Sequence, residues 1–429
     1  MKILRAWVEK YKQSILLNRL FAVLSIDILV KLSGVILLPV YLRIMTQDEY
    51  GLYNYLLSIV LTFSLVLTFG LYIPISKFYH DYADKIKKGK LLFTTFILLL
   101  GGLTMLIAIV YSAGLDVRII KILFRHELNY QNYRLAILLA VVTSVFSFML
   151  TSFLFTSEKI KQVKRYNISR IVWIHLASIA LLYFMPETNA AELRLQITYA
   201  LEFVLLLIFS VYVVREMHFQ FDYKLAIASI KMGLPIMLSA LFGIVINFSD
   251  KFFLEKYGTL TDLSNYYLAI AFASIIPTIF ASVQNAWIPL FMKEKNIGEN
   301  VKKTNKLIRN LTLVFIGISL MIWVFLEILL VMSVIPKKYN EVTFVLPILL
   351  LTQIAAALSA LYNNYLVYFE RTHLISITGL IICIISIVAS IFMIPRWGIY
   401  GAAAATMLSN ILYLLTYNLL SKRIIARRI

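Results

Sequence analysis

Six ionisable residues sit inside otherwise apolar runs: Asp27, Lys31, Glu202, Asp250, Lys251 and Glu327. A charge taken out of water costs several kcal/mol unless it is paired, so such residues mark binding or relay positions by default. Asp27 and Lys31 are four residues apart and share a helical face. They can neutralise each other, or Lys31 can meet an anionic ligand. Asp250 and Lys251 are adjacent, so on a helix their side chains point about 100° apart. This spacing predicts that they face different surroundings. Glu202 and Glu327 stand alone in their runs, each as a proton or cation relay or as the partner of a base on another helix. Five amides, Asn247, Gln284, Asn285, Asn363 and Asn364, lie at or within such runs. They suit the hydroxyls of a polar ligand or hydrogen bonds between helices. Pro277, in mid-run, lacks a backbone donor and is a candidate hinge. Lys77, Arg170 and Arg43 end their runs and can add positive charge at the mouths.

Other chemistries find no residues. The lone cysteine, Cys383, lies in an apolar run, and the five histidines lack ligand spacing, so neither a metal nor a cofactor is expected. No catalytic constellation is present.

The elements that hold these residues are set by composition. Of 429 residues, 61% are hydrophobic and 15% charged, with a mean hydropathy of +0.84. An ordinary soluble domain carries about 25% charged residues. A spanning helix takes about 20 apolar residues, and twelve runs of suitable character can be marked, from Leu20–Leu42 to Trp397–Ser421. The fold class is therefore an all-α integral membrane protein of about twelve transmembrane helices. The net charge of +19 would suggest nucleic acid in a soluble chain. Here 29 of the 41 Lys and Arg fall in alternate connecting segments, which places those segments and both termini in the cytoplasm. The outer segment Gly114–Arg134 is the exception, with four basic residues. No connecting segment is long enough for a separate catalytic domain, and the N-terminus does not read as a cleavable signal. Residues 1–19 form a basic, amphipathic cytoplasmic lead-in. Two six-helix lobes follow over 20–215 and 216–421, then a basic tail over 422–429.

The two lobes follow from an internal repeat. Asp48–Leu56 reads DEYGLYNYL, and Thr261–Ala269, 213 residues on, reads TDLSNYYLA. Each opens an even-numbered run that closes at a proline, Pro74 or Pro289, followed by a basic segment. An offset of six spans keeps both copies in the same orientation, so the lobes are pseudo-symmetric about an axis along the membrane normal.

Four segments carry a family resemblance. Ile394–Thr406, IPRWGIYGAAAAT, is similar to the start of the last span in polysaccharide transporters of the Wzx (O-antigen flippase) type. Gly233–Lys251, GLPIMLSALFGIVINFSDK, resembles that family's seventh span. Asp48–Tyr53 resembles the turn before the second span, and Pro347–Leu351 the tenth. The superfamily also holds the lipid II flippases and the MATE multidrug exporters.

The resemblance implies a MATE-like fold in the bacterial cytoplasmic (inner) membrane. It implies a substrate, too: an undecaprenyl-pyrophosphate-linked oligosaccharide moved from the cytoplasmic to the periplasmic leaflet by alternating access, with no bond made or broken. It makes Lys31 the first choice for the anion, with Asp27, Asp250, Lys251, Lys77 and Asn247 around the cleft. Expected partners are membrane lipids and other polysaccharide-assembly membrane proteins, such as a polymerase or a chain-length regulator, around a monomer; nucleic acid is excluded. Two other classes compete. Four acids against two bases within the runs suit a cation-coupled multidrug or metabolite exporter of the same fold. A membrane polysaccharide polymerase requires a larger outer loop than this chain has.

Overall fold

A computed structural model describes residues 34–125, 128–186 and 188–426. Asp27, Lys31 and the lead-in over 1–19 lie outside the described residues, as does the end of the basic tail.

Among the described residues the chain is helical, without a strand. The helices are α1 (Gly34–Ile44), α2 (Gln47–Leu67), α3 (Tyr72–Asp81), α4 (Lys85–Ser112), α5 (Leu115–Leu123), α6 (Tyr130–Thr156) and α7 (Ile160–Phe184). They continue with α8 (Ala190–Val214), α9 (Tyr223–Tyr257), α10 (Leu260–Ala273), α11 (Ile275–Lys293), α12 (Ile297–Val331), α13 (Val342–Tyr368) and α14 (Thr372–Ala426). Helices suit hydrocarbon because they satisfy every backbone donor and acceptor within one segment. Among the described residues, nine helical stretches are long and apolar enough to cross a membrane.

α14 cannot be a single crossing. Its 55 residues at about 1.5 Å each far exceed a core of about 30 Å. The run is broken at Gly398, where φ is +52° and ψ −127°, a conformation open essentially to glycine alone. Three residues on, the α-carbon of Gly401 packs on the Met393 carbonyl, so a β-carbon there would collide with it. These are the two glycines of the Ile394–Thr406 motif, and both are backbone requirements.

The basic inner segments differ from simple loops. α7 begins at Ile160, α9 at Tyr223 and α12 at Ile297, so Lys161, Lys224 and Lys302 ride on helices that continue past the apolar stretch. Hydropathy reports where hydrocarbon ends; backbone pairing carries on into water.

Contacts divide the chain into two compact units that do not follow chain order. Among the described residues, unit 1 takes those within Met1–Leu38, Val60–Ile119 and Asn129–Leu238, and unit 2 those within Pro39–Ile59, Ile120–Leu128 and Ser239–Ile429. Unit 1 has a core of Leu92, Leu99, Val145, Met149, Phe153 and Tyr166, among others. The linker after α8 belongs to it. The α-carbon of Gly89 packs on the His218 backbone, and the Asp222 N–H donates to Thr94 Oγ1 at 3.0 Å. Gly233 of the GLP motif meets the backbone of Phe69 and Gly70, where no side chain fits.

In unit 2 the two copies of the repeat pack against each other. Thr46 and Glu49 form a reciprocal cap at the start of α2: the Thr46 N–H donates to Glu49 Oε2 at 2.8 Å and the Glu49 N–H to Thr46 Oγ1 at 3.2 Å. Thr259 and Asp262 make the same capping box at the start of α10. The α-carbon of Gly51 lies on the Leu260 carbonyl, a close approach that a side chain would block.

Candidate functional site

Asp250 is buried, at 4% exposure, and sits where three helical segments of unit 2 meet. Its Oδ1 accepts from the Lys251 backbone N–H at 2.8 Å and from Lys251 Nζ at 3.0 Å. Its Oδ2 accepts from the Tyr266 hydroxyl of α10 at 2.7 Å and the Thr406 hydroxyl of α14 at 3.3 Å. The expectation that Asp250 and Lys251 face different surroundings is corrected. The long lysine stem folds back, so the ammonium reaches both the neighbouring carboxylate and the Asn247 carbonyl at 2.7 Å. Asn247 itself is exposed, and its amide donates to Gly243 on its own helix at 2.8 Å. The carboxylate is thus fully engaged, by one cation and two hydroxyls from other segments, and ties α9 to α10 and α14.

Unit 1 holds a second ion pair. Arg170 opens a π turn over Arg170–Ile174 within α7. Its Nη2 lies 2.6 Å from Oε1 of Glu202 on α8, which is buried at 3% exposure. The guanidinium also lies 5.5 Å from the Tyr166 ring, and the Tyr166 and Ser147 hydroxyls share a 2.6 Å hydrogen bond. Of the two readings of Glu202, pairing with a base on another helix is the one observed. Glu327, partly buried on α12, has an Oε1 without a hydrogen-bond partner.

Of the mouth cations, Lys77 is exposed on α3, 6.0 Å from the Phe78 ring. Arg170 is consumed by Glu202, and Arg43 donates to the Ser333 carbonyl at 2.7 Å. Also in unit 1, Lys159 pairs with Glu216, which accepts from the Tyr79 hydroxyl at 2.8 Å. Pro277 falls in the first turn of α11, where its missing N–H has no intrahelical partner to lose. The break before it, at Ser274, separates α10 from α11.

The four basic residues of the outer exception are partly accounted for. Arg134 pairs with Asp116 at 2.8 Å within unit 1. In unit 2 the Arg125 N–H donates to both oxygens of buried Glu255 at 2.9 Å, and its guanidinium to the Lys256 carbonyl at 3.2 Å. The Tyr55 hydroxyl holds the Leu123 carbonyl at 2.8 Å. Sequence reasoning missed this seat, because Glu255 lies just past the apolar run that it ends. Elsewhere in unit 2, Lys338 Nζ donates to the Met45 carbonyl at 3.0 Å, and partial burial pushes its ammonium below the usual lysine range.

Long apolar helices with paired charges between them define a multi-pass, all-helical membrane protein. The chain belongs to the polysaccharide biosynthesis protein family, whose model matches residues 16–295. Among solved structures it is similar to the lipid II flippase MurJ in an inward closed conformation, with a TM-score of 0.71, 17% identity, and coverage of 94% of this chain and 87% of that one. An inward-facing multidrug resistance MATE family transporter of the MOP superfamily also gives a TM-score of 0.71, at 13% identity, covering 93% and 98%. A MOP superfamily transporter from Pyrococcus furiosus gives 0.61 at 12% identity, covering 95% and 94%. At such identities the likeness is one of fold. No curated protein matches the chain significantly in sequence.

Proposed function

We propose that this protein is a flippase, not an enzyme, that moves an undecaprenyl-pyrophosphate-linked oligosaccharide, an O-antigen or related repeat unit, from the cytoplasmic to the periplasmic leaflet of a bacterial inner membrane. The observation that carries the reading is the family match over residues 16–295 in a chain with the flippase fold. A sugar headgroup and a pyrophosphate cannot cross hydrocarbon unaided, because each unpaired polar group costs several kcal/mol there. The two six-helix lobes over 20–215 and 216–421 provide the alternating access. Lys31 is the proposed anion contact, with Asp27, Lys77, Lys251, Asp250 and Asn247 as further cleft residues and Pro277 as hinge.

The ion pairs weigh against the exporter reading. Glu202 and Asp250, two of the four acids that favoured a cationic substrate, are neutralised by Arg170 and Lys251. Glu327 is left as the proposed relay in the described part of the chain.

The test is deletion of the gene followed by an assay of which leaflet holds the lipid-linked glycan. Precursor accumulates on the cytoplasmic face, is cleared by the wild-type chain and is cleared poorly by Lys31→Ala. Normal surface glycan in the deletion strain, with no second transporter present, refutes the proposal.

A further inference from the structure

We propose that Gln284, Trp287, Asn363 and Asn364, on two packed helices of unit 2, form a binding site for the hydroxyl groups of a neutral sugar. The inference rests on the glycan-transport reading and names residues that take the sugar part of the headgroup.

Gln284 and Trp287 lie one turn apart on α11, and Asn363 and Asn364 lie on α13. The Gln284 amide donates to Asn364 Oδ1 at 3.1 Å, which joins the two helices. That bond uses one donor and one acceptor. Gln284 Oε1, Asn363 Oδ1, Asn364 Nδ2 and Trp287 Nε1 are all buried without a hydrogen-bond partner. Asn364 is only 5% exposed, whereas Gln284, Trp287 and Asn363 are partly buried. Two acceptors and two donors therefore lie unpaired along one stretch of the packed helices α11 and α13. Turning both amides over preserves the balance, since one N–H donor and one carbonyl remain free in either setting.

Buried polar atoms are normally satisfied, and leaving one unmade is costly, more so within a spanning helix. The chemistry of the set selects the ligand. Amides that both donate and accept, beside an indole, match a diol, in which each hydroxyl also does both. The four side chains bear no charge, so they offer a phosphate no counter-ion. The neighbouring tyrosines are already committed. The Tyr365 hydroxyl donates to Thr304 Oγ1 at 2.9 Å and the Tyr368 hydroxyl to the Glu294 carbonyl at 3.1 Å. Their rings pack on Phe291, which packs on Trp287, so the indole is backed by a rigid aromatic wall.

Interhelix glue and a sugar site respond differently to removal of both amides. Replacing both partners of a buried hydrogen bond by apolar groups of similar shape is close to neutral for stability. The experiment expresses the full chain in the deletion host and compares Gln284→Met/Asn364→Leu, Trp287→Phe and, as control, Gln353→Leu, a partly buried amide of α13 outside the cluster. At equal membrane abundance and unchanged melting temperature, the double variant and Trp287→Phe lower surface glycan roughly tenfold, the effect of about 1.4 kcal/mol, and the control does not. Wild-type levels of glycan from the double variant overturn the site and leave the flippase reading standing.

If wild type itself restores nothing, the flippase reading falls, and the site is decided by direct binding. For that measurement Trp287 is kept as the sole tryptophan in nanodisc-held protein. Galactose, N-acetylglucosamine and rhamnose are titrated against its fluorescence. Saturable quenching by any one of them supports the site, and none by all three overturns it.

Discussion

The Thr261 hydroxyl donates a hydrogen bond of 2.7 Å to Asp48 Oδ1, and the two residues are 213 positions apart. That separation is the offset of the internal repeat, so each residue is bonded to its own counterpart. The same offset relates the caps Thr46/Glu49 and Thr259/Asp262, and it relates Gly51 to Ser264, whose N–H lies 3.1 Å from where a Gly51 β-carbon would stand. Counterparts can touch only where the two copies meet at their local symmetry axis. The repeat was weak as sequence because its copies share capping and packing positions more than side-chain identity.

Gly51→Ala tests the closeness of that crossing. The added carbon collides with the Leu260 carbonyl, and overpacking costs about 1–3 kcal/mol. A lowered melting temperature of the purified protein is the expected reading. Gly317→Ala, in open space, stays level or gains up to about 1 kcal/mol from helix propensity.

The Arg170–Glu202 pair is open to a double-mutant cycle. Removing either partner leaves a charge stranded among helices. The cost is about 3–5 kcal/mol for a fully buried pair, less here because the Arg170 side chain stays about a third exposed. Arg170→Met with Glu202→Met recovers most of the loss. Thermal unfolding of the four proteins measures the coupling; additive losses would show that the pair does not interact.

Asp250 and Lys251 are unequal partners. Lys251→Met leaves the carboxylate with the Tyr266 and Thr406 hydroxyls, whereas Asp250→Ala takes their shared acceptor from both hydroxyls and leaves the ammonium only the Asn247 carbonyl. Asp250→Ala is therefore the more damaging, by about 1–3 kcal/mol for the extra unmade bonds. The ratio of folded to aggregated protein on detergent extraction orders the two variants, and the reverse order contradicts the geometry.

Orientation is checked by cysteine labelling in a background in which Cys383 is replaced by serine. Asn340→Cys, exposed between α12 and α13, reacts with an impermeant maleimide in intact cells. Lys302→Cys, exposed near the start of α12, reacts only after permeabilisation. Asn300 is unsuitable, since its amide is buried against the Phe291 carbonyl at 3.1 Å. The opposite labelling pattern inverts the topology.

The amino-acid sequence alone determined the class. Hydrocarbon imposes one constraint over about 20 residues at a time, and a constraint that local is readable from a linear string. The six-span repeat was legible for a similar reason, through TDLSNYYLA and DEYGLYNYL, as were the glycines of IPRWGIYGAA. Partners were not legible. That Glu202 meets Arg170, that Lys251 turns back onto Asp250, and that Glu255 seats the Arg125 backbone depend on which helix faces touch. Apolar runs fit lipid on every side, so their sequence carries little record of which face turns inward. The grouping of Pro39–Ile59 with Ser239–Ile429 was hidden likewise, because it is seen in a backbone contact at Gly51 and in the Thr261–Asp48 hydrogen bond across 213 residues. Tertiary structure decided these matters. A charge in hydrocarbon must find a partner, and only the packing of the helices fixes which one.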